Sequence, residues 1–172
     1  MKLYTPIARL VVALLLAGLA ACSAPPTLPR LAADAVILAF GDSLTYGTGA
    51  DDTQSYPAIL AQLAGRRVVN AGVPGEVSAE GLARLPGALD EYRPQLLILS
   101  HGGNDLLRKS STEELARNLR AMVKAARSRG IAVVLVGVPA PGLLLGVPDL
   151  YATLAEEHRL PYEAEALRTI LG

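Results

Sequence analysis

The segment that decides the fold is residues 35–44, which read AVILAFGDSL. Its first six residues are all apolar, and an unbroken apolar run of this length is typical of a strand buried on both faces of a sheet. Gly41, Asp42 and Ser43 follow directly, and a glycine at this place lets the chain turn closely. The segment therefore predicts a buried strand that ends in a tight turn, with the Ser43 hydroxyl at the end of the strand.

Strand and helix patterns alternate along the rest of the chain. Strands are predicted at 35–40, 67–70, 95–100 and 131–136, with a short fifth strand beginning at Pro161, and helices at 56–63, 78–92 (disturbed by Pro86), 111–129 and 151–159. Strand then helix, four times over, implies right-handed βαβ units and a parallel sheet covered on both faces. We expect a three-layer α/β/α sandwich with a parallel, flavodoxin-like sheet of about five strands. Such sheets bind ligands beyond the carboxyl ends of their strands.

Two loops follow the second and third predicted strands. The first, NAGVPG, ends at Gly75, and its glycines can leave backbone N–H groups free to face an anion. The second, HGGND, carries Asn104, whose amide is an uncharged donor suited to a developing oxyanion. Taken singly, each loop is also explained as an ordinary turn, and Gly-Asp-Ser alone is better explained as a helix cap or turn. Together, at the ends of three strands, they predict one crevice holding a nucleophile and two oxyanion donors.

These three blocks, in this order, resemble those of the GDSL, or SGNH, hydrolases, and most closely their bacterial arylesterase, thioesterase and lysophospholipase branch. The resemblance runs from about residue 35 to residue 172. It implies that Ser43 is the nucleophile and that the backbone N–H groups of Ser43 and Gly75, with the Asn104 side chain, bind the oxyanion. Asp42 and Asp105 would hold their loops in shape. The implied reaction is hydrolysis of small carboxylic esters or thioesters through an acyl-enzyme, without a cofactor.

The sequence departs from that family in its last block, Asp-x-x-His, which occurs nowhere in the 172 residues. We therefore expect that the chain stops before this block and a final helix. Hydrolysis would be impaired, and apolar surface of the first or fifth strand would be uncovered. The two histidines are His101 and His158. His158 is predicted at the far edge of the sheet. His101 is either a surrogate base, with no carboxylate obviously placed to orient it, or an exposed or loop-packing residue. The alternative function is a non-catalytic, lipid-anchored protein that binds a ligand in the same crevice.

The N-terminus has the pattern of an export signal. Residues 1–21 have a basic start and a short apolar run, and the sequence Leu-Ala-Ala-Cys that ends at Cys22 resembles the bacterial lipobox. An ordinary secretory peptide cut before Cys22 would explain the same letters. We expect a signal peptide at 1–21, a lipidated Cys22 with a proline-rich spacer at 22–34, and a hydrolase domain at 35–172. Ser23 after the cysteine favours the periplasmic face of the bacterial outer membrane.

Composition limits the other function classes. Hydrophobic residues make up 51% of the chain and charged residues 19%, which indicates a packed domain. Sixteen basic residues balance 16 acidic ones, so nothing points to nucleic acid as a partner. There is no P-loop, and two separated histidines with one cysteine do not suggest a metal site. The three leucines at 143–145 lie in a loop predicted at 139–148, where they line an acyl pocket or simply pack on the sheet. The sequence leaves the oligomeric state open.

Overall fold

The computed structural model of the chain describes residues 26–142 and 146–171. The predicted signal peptide, Cys22 and the leucines at 143–145 lie outside the described residues. Within the described part, no helix is both long and apolar enough to cross a membrane.

One parallel sheet forms the centre of the domain. Its strands are β1 (Val36–Gly41), β2 (Arg67–Gly72), β3 (Leu96–Ser100), β4 (Ala132–Val136) and β5 (Tyr162–Glu163). Their order across the sheet is β2-β1-β3-β4-β5, and every neighbouring pair is parallel. This confirms the predicted flavodoxin-like sheet. Because β1 lies between β2 and β3, the three loops singled out in the sequence leave the sheet from adjacent strands.

Seven helices lie in the described part of the chain. They are α1 (Ser43–Tyr46), α2 (Tyr56–Ala64), α3 (Ser78–Tyr92), α4 (Gly103–Leu107), α5 (Thr112–Arg127), α6 (Asp149–His158) and α7 (Ala166–Leu171). The four predicted helices are confirmed, whereas the short α1, α4 and α7 were not predicted. Helix α3 continues through Pro86, so this residue does not interrupt it. The Ser111 side chain accepts the Glu114 N–H at 3.2 Å, as a helix N-cap should.

The main core lies between one face of the sheet and helices α3, α5 and α6. Alternate strand residues point to this face because the side-chain period of a strand is two. The buried members include Leu38, Phe40, Leu97, Leu99, Val133 and Leu135 from the sheet, Leu85 and Leu89 from α3, Leu115, Leu119, Met122 and Val123 from α5, and Tyr151 and Leu154 from α6. This one cluster fixes β1 and β3, and therefore the ends from which the candidate site is built.

The opposite face of the sheet is covered unevenly. Ile37 and Ala39 of β1 are buried there. Val68 of β2 lies beside residues at the start of α2. Ile98 of β3 and Val134 of β4 are only half-buried. Apolar surface was expected to be uncovered on β1 or β5. Instead β1 is buried, and Tyr162 of β5 is half-buried against the main core. The half-buried apolar residues of this face lie on β2, β3 and β4.

Candidate active site

Ser43 lies on a tight turn between the end of β1 and the first turn of α1. A Cβ atom at residue 41 would lie 1.9 Å from the Ser100 carbonyl oxygen, so only glycine fits there. Asp42 caps α1, its Oδ1 accepting the Leu44 N–H at 3.1 Å. Ser43 is half-buried and is the first helical residue, so its own N–H has no partner within the helix. That N–H is available to an acceptor in the adjoining pocket.

Asp42 also joins this turn to the loop after β3. Its Oδ2 accepts the Gly103 N–H at 3.2 Å, across 61 residues of sequence. The side chain is almost completely buried. Burial raises the pKa of the Asp42 carboxyl above its ordinary value, and hydrogen bonds from the Leu44 and Gly103 N–H groups lower it only in part. Asp42 therefore fixes the separation between the Ser43 turn and α4.

The Asn104 side chain lies next to Gly75, because it binds the backbone carbonyl of the residue that follows Gly75. The Asn104 Nδ2 donates to the backbone oxygen of Glu76 at 2.9 Å. The oxygen of Gly75 accepts a hydrogen bond from Arg108 Nη2 at 3.0 Å. Gly75 has φ of +81°, a conformation that favours glycine. The loop after β2 is thus held to α4 at two successive residues.

Ser43 and Asn104 line the same pocket, whose volume is about 210 Å³. The other residues around it are Asp42, Leu44, Gly103, Leu107, Val138, Pro139 and Pro141. The lining therefore includes a hydroxyl residue and a carboxamide residue, and most of the remaining residues form an apolar wall. Gly75 does not line this pocket. It precedes Glu76, whose backbone carbonyl accepts the hydrogen bond from the Asn104 side chain. The structure thus brings two of the three predicted site residues to one cavity and places the third next to it.

Asp105 connects α4 to the helices that pack around it. Its carboxylate accepts the Ser78 N–H at 2.8 Å and the Ser78 hydroxyl at 2.6 Å. Asn118 of α5 donates to the same hydroxyl oxygen at 2.9 Å. This buried network joins α4 to the beginning of α3 and to α5. It agrees with the loop-holding role that the family resemblance implies for Asp105.

His101 is buried beside a carboxylate, which agrees with the loop-packing alternative, whereas the expectations of an exposed ring and of no carboxylate beside it are wrong. Its side chain is 0% exposed, and its Nε2 lies 3.0 Å from Glu76 Oε2. Its Nδ1 has no hydrogen-bond partner among the described residues. His158 ends α6, where Arg127 at the end of α5 donates to its backbone oxygen at 2.6 Å. Neither histidine is hydrogen-bonded to Ser43 within the described part of the chain.

Glu76 and Arg84 were not predicted from the sequence. Glu76 follows Gly75 directly, and its carboxylate is 6% exposed. Arg84 donates from Nε and Nη2 to the two carboxylate oxygens at 2.6 and 2.7 Å and lies over the Phe40 ring at 4.0 Å from its centroid. Burial raises the pKa of Glu76, but hydrogen bonds from Arg84 and His101 outweigh it, so the pKa lies below its ordinary value. The eight-residue spacing from a loop to a helix gave no motif by which to find the pair.

No group of three or more His, Cys, Asp or Glu side chains among residues 26–142 and 146–171 is arranged to hold a metal ion. The chemistry available in the pocket is that of a hydroxyl beside neutral hydrogen-bond donors. Such a set stabilises negative charge that develops on an oxygen atom.

Comparison with known proteins then gives the family. The profile of the GDSL-like lipase/acylhydrolase family matches residues 39–170. The chain belongs to this family. The match includes all three strand-end loops described above, from the Ser43 turn to Asn104.

Three curated relatives of this GDSL family protein carry hydrolase names. Esterase TesA of Pseudomonas aeruginosa is 42% identical over 134 residues, covering 75% of this chain and 65% of the relative. Thioesterase 1/protease 1/lysophospholipase L1 of Escherichia coli is 38% identical over 104 residues, covering 58% and 50%. An arylesterase of Vibrio mimicus is 31% identical over 110 residues, covering 61% and 55%. The chain thus spans between half and about two thirds of the length of these relatives.

Solved structures of the family share the fold. AlinE4, an SGNH-hydrolase family esterase, is 37% identical with a TM-score of 0.67, over 79% of this chain and 77% of that one. The crystal structure of TesA is 32% identical with a TM-score of 0.66, over 74% and 76%. The SGNH-hydrolase fold expected from the sequence is therefore confirmed.

Proposed function

We propose that this protein hydrolyses carboxylic esters or thioesters through an acyl group carried on Ser43. The observation that carries the proposal is the shared pocket of Ser43 and Asn104, which has an apolar wall beside the hydroxyl. Family membership and relatives named as esterase, thioesterase/lysophospholipase and arylesterase support the same reaction class. Aryl esters, acyl thioesters and lysophospholipids are the candidate substrates.

In the proposed reaction the Ser43 oxygen attacks the acyl carbonyl carbon, and the carbonyl oxygen becomes negatively charged. The backbone N–H groups of Ser43 and Gly75 and the Asn104 amide donate to that oxygen. Solvent water takes the proton that Ser43 loses. Collapse of the intermediate then breaks the bond to the alcohol or thiol, which takes a proton from solvent as it leaves, and the acyl group stays on Ser43. Water then attacks the acyl carbonyl, which releases the acid and restores the hydroxyl. The apolar wall, formed in part by Leu107 and Val138, accommodates the acyl chain.

The attack also requires a base to take the Ser43 proton, and residues 1–172 contain no Asp-x-x-His block. His101 faces Glu76, and His158 lies at the end of α6. We therefore propose that residues 1–172 by themselves act slowly. Without a base, Ser43 keeps its hydroxyl proton at neutral pH and is a weak nucleophile, so formation of the acyl-enzyme is slow.

Hydrolysis of p-nitrophenyl butyrate by purified protein tests this function. The Ser43→Ala variant should reduce the rate to that of buffer, because the nucleophilic oxygen is lost. Ser128→Ala is a matched control, since Ser128 is an exposed residue at the end of α5. Equal rates for Ser43→Ala and the parent chain would contradict the proposal.

A fluorophosphonate probe separates the enzyme from the binding-protein alternative. Covalent labelling at Ser43 requires an activated hydroxyl, so labelling that disappears in Ser43→Ala supports a hydrolase. A chain that binds a fatty acid in the pocket, but neither reacts with the probe nor hydrolyses esters, is instead the non-catalytic binding protein.

We also propose that the protein is held at the periplasmic face of the bacterial outer membrane by lipid on Cys22. The lipobox pattern and the exposed, proline-containing segment 26–30 support this proposal. Incorporation of radiolabelled palmitate in cells tests it. The label should be lost in Cys22→Ser, whereas label retained in that variant would contradict the anchor.

A further inference from the structure

The carboxylate of Glu76 lies buried directly behind the loop that carries Gly75. It accepts hydrogen bonds from Nε and Nη2 of Arg84, at 2.6 and 2.7 Å. His101 Nε2 lies 3.0 Å from its Oε2. Three donors from α3 and from the end of β3 therefore fix one side chain of the loop after β2.

The position of the His101 ring is itself fixed. The Tyr151 hydroxyl donates to the His101 backbone oxygen at 2.9 Å. Residue 81 of α3 is glycine, and a Cβ atom there would lie 2.4 Å from the ring Nε2. The ring thus occupies space that any other residue at position 81 would fill. Because Glu76 is an acceptor when ionised, the ring carries its proton on Nε2 and donates it to the carboxylate.

The backbone of Glu76 connects this cluster to the candidate site. Its carbonyl oxygen accepts one hydrogen of the Asn104 amide at 2.9 Å, which leaves the second Nδ2 hydrogen for the pocket that Asn104 lines. A shift of the Glu76 carbonyl would rotate that amide. The direction of the Asn104 donor therefore depends on where the Glu76 side chain is held.

From this geometry we propose that His101 and Glu76 are positioning residues that aim the Asn104 amide at the oxyanion of the substrate. The proposal rests on the proposed hydrolase function. Arg84 donates a hydrogen bond to each Glu76 oxygen and balances the charge of the carboxylate. The additional hydrogen bond from His101 therefore serves to fix the orientation of that carboxylate. The role of His101 is thus orientation of a neighbour, and it does not take the Ser43 proton.

Two substitutions of the full chain test the role of His101. His101→Leu replaces the ring by an apolar side chain of similar size and removes the donor, whereas His101→Gln keeps an N–H at a similar reach. We expect His101→Leu to lower kcat for p-nitrophenyl butyrate about 10-fold with KM changed less than about twofold, because misplacement of a positioned group affects the transition state. His101→Gln should recover most of kcat. Equal kcat in both variants would overturn the positioning role.

The Asn104 side-chain amide provides a readout that does not depend on activity. Its two ¹H–¹⁵N signals, assigned by their loss in Asn104→Ala, should shift or broaden in His101→Leu and return in His101→Gln. Unchanged signals in His101→Leu would overturn the inference. If the parent chain hydrolyses no ester but the signals respond as stated, the positioning role stands and the proposed function fails.

Arg84→Met and Arg120→Met form a matched pair in case His101→Leu does not fold. The two arginines have similar exposure, 30% and 31%, and each pairs with a glutamate. Arg120, however, binds Glu157 and so joins α5 to α6, away from the Glu76 loop. Arg84→Met should alter the Asn104 signals and lower kcat, whereas Arg120→Met should do neither. The same response in both variants would contradict the inference.

Discussion

The carboxylate of Asp42 accepts the Gly103 N–H at 3.2 Å and so joins the turn of the candidate nucleophile to the loop of Asn104. Asp42→Ala would leave this N–H and that of Leu44 without their acceptor. We expect the free energy of unfolding to fall by about 2 kcal/mol. Each buried N–H left without an acceptor costs about 1–3 kcal/mol, and removal of the buried carboxylate offsets part of that loss. Urea denaturation measures the change. Asp90→Ala is the control, because Asp90 is 68% exposed, and its surface pair should contribute less than about 1 kcal/mol.

Two glycines of similar chemistry should respond in opposite directions to alanine. At Gly41 a Cβ would meet the Ser100 carbonyl at 1.9 Å, whereas at Gly87 in α3 it would meet nothing within 4 Å. Gly41→Ala should destabilise the fold by about 3 kcal/mol or more because backbone must move. Gly87→Ala should stabilise it by up to about 1 kcal/mol through helix propensity. Thermal unfolding distinguishes the two, and a stable Gly41→Ala protein would show that the turn has more room than described.

The Ser78 hydroxyl predicts a measurable coupling between α3 and α5. It donates to Asp105 at 2.6 Å and accepts from Asn118 at 2.9 Å. In a double-mutant cycle of Ser78→Ala and Asn118→Ala, the combined loss of stability should be smaller than the sum of the single losses by about 0.5–1.5 kcal/mol. Strictly additive losses would mean that the Asn118 contact contributes nothing.

Glu76 predicts part of the acid sensitivity of the fold. Because Arg84 and His101 hold the pKa of the Glu76 carboxyl below its ordinary value, the ionised form stabilises the folded state. That contribution is complete above the unfolded pKa of about 4.3 and is lost as pH falls through the lower folded pKa. Urea midpoints measured from pH 6 to pH 3 should therefore decline less steeply for Glu76→Gln than for the parent chain. Identical slopes would show that another carboxyl is responsible.

The sequence predicted the sheet because its signals are local. The unbroken apolar run at 35–40 identifies a central strand without knowledge of its neighbours, and the periodic apolar stripe of α5 identifies that helix in the same way. The short helices α1 and α4 were missed because four or five residues carry no periodicity. Their existence depends on caps such as Asp42, whose partner Gly103 is remote in sequence.

The candidate site was predictable only in part for a related reason. Ser43 and Asn104 lie within four residues of the ends of β1 and β3, and the ends of parallel strands meet at one edge of the sheet, so the two residues are expected at that edge. The burial of His101 depends on α3 packing across the end of β3 with a glycine at position 81, and no property of residue 101 alone reveals this. Glu76 resembled an ordinary loop charge, since the arginine that neutralises it is brought close only by the folding of α3.

The shortness of β5 has a consequence for how the molecule opens. Its two residues are attached along one side only, to Leu135 and Val136 of β4, whereas β1 is flanked by strands on both sides. Amide protons of residues 162–171 should therefore exchange with heavy water first, through fraying of that margin, and those of β1 and β3 last. Solvent would thus reach the margin at β5 repeatedly while the strands beneath the Ser43 turn stay closed.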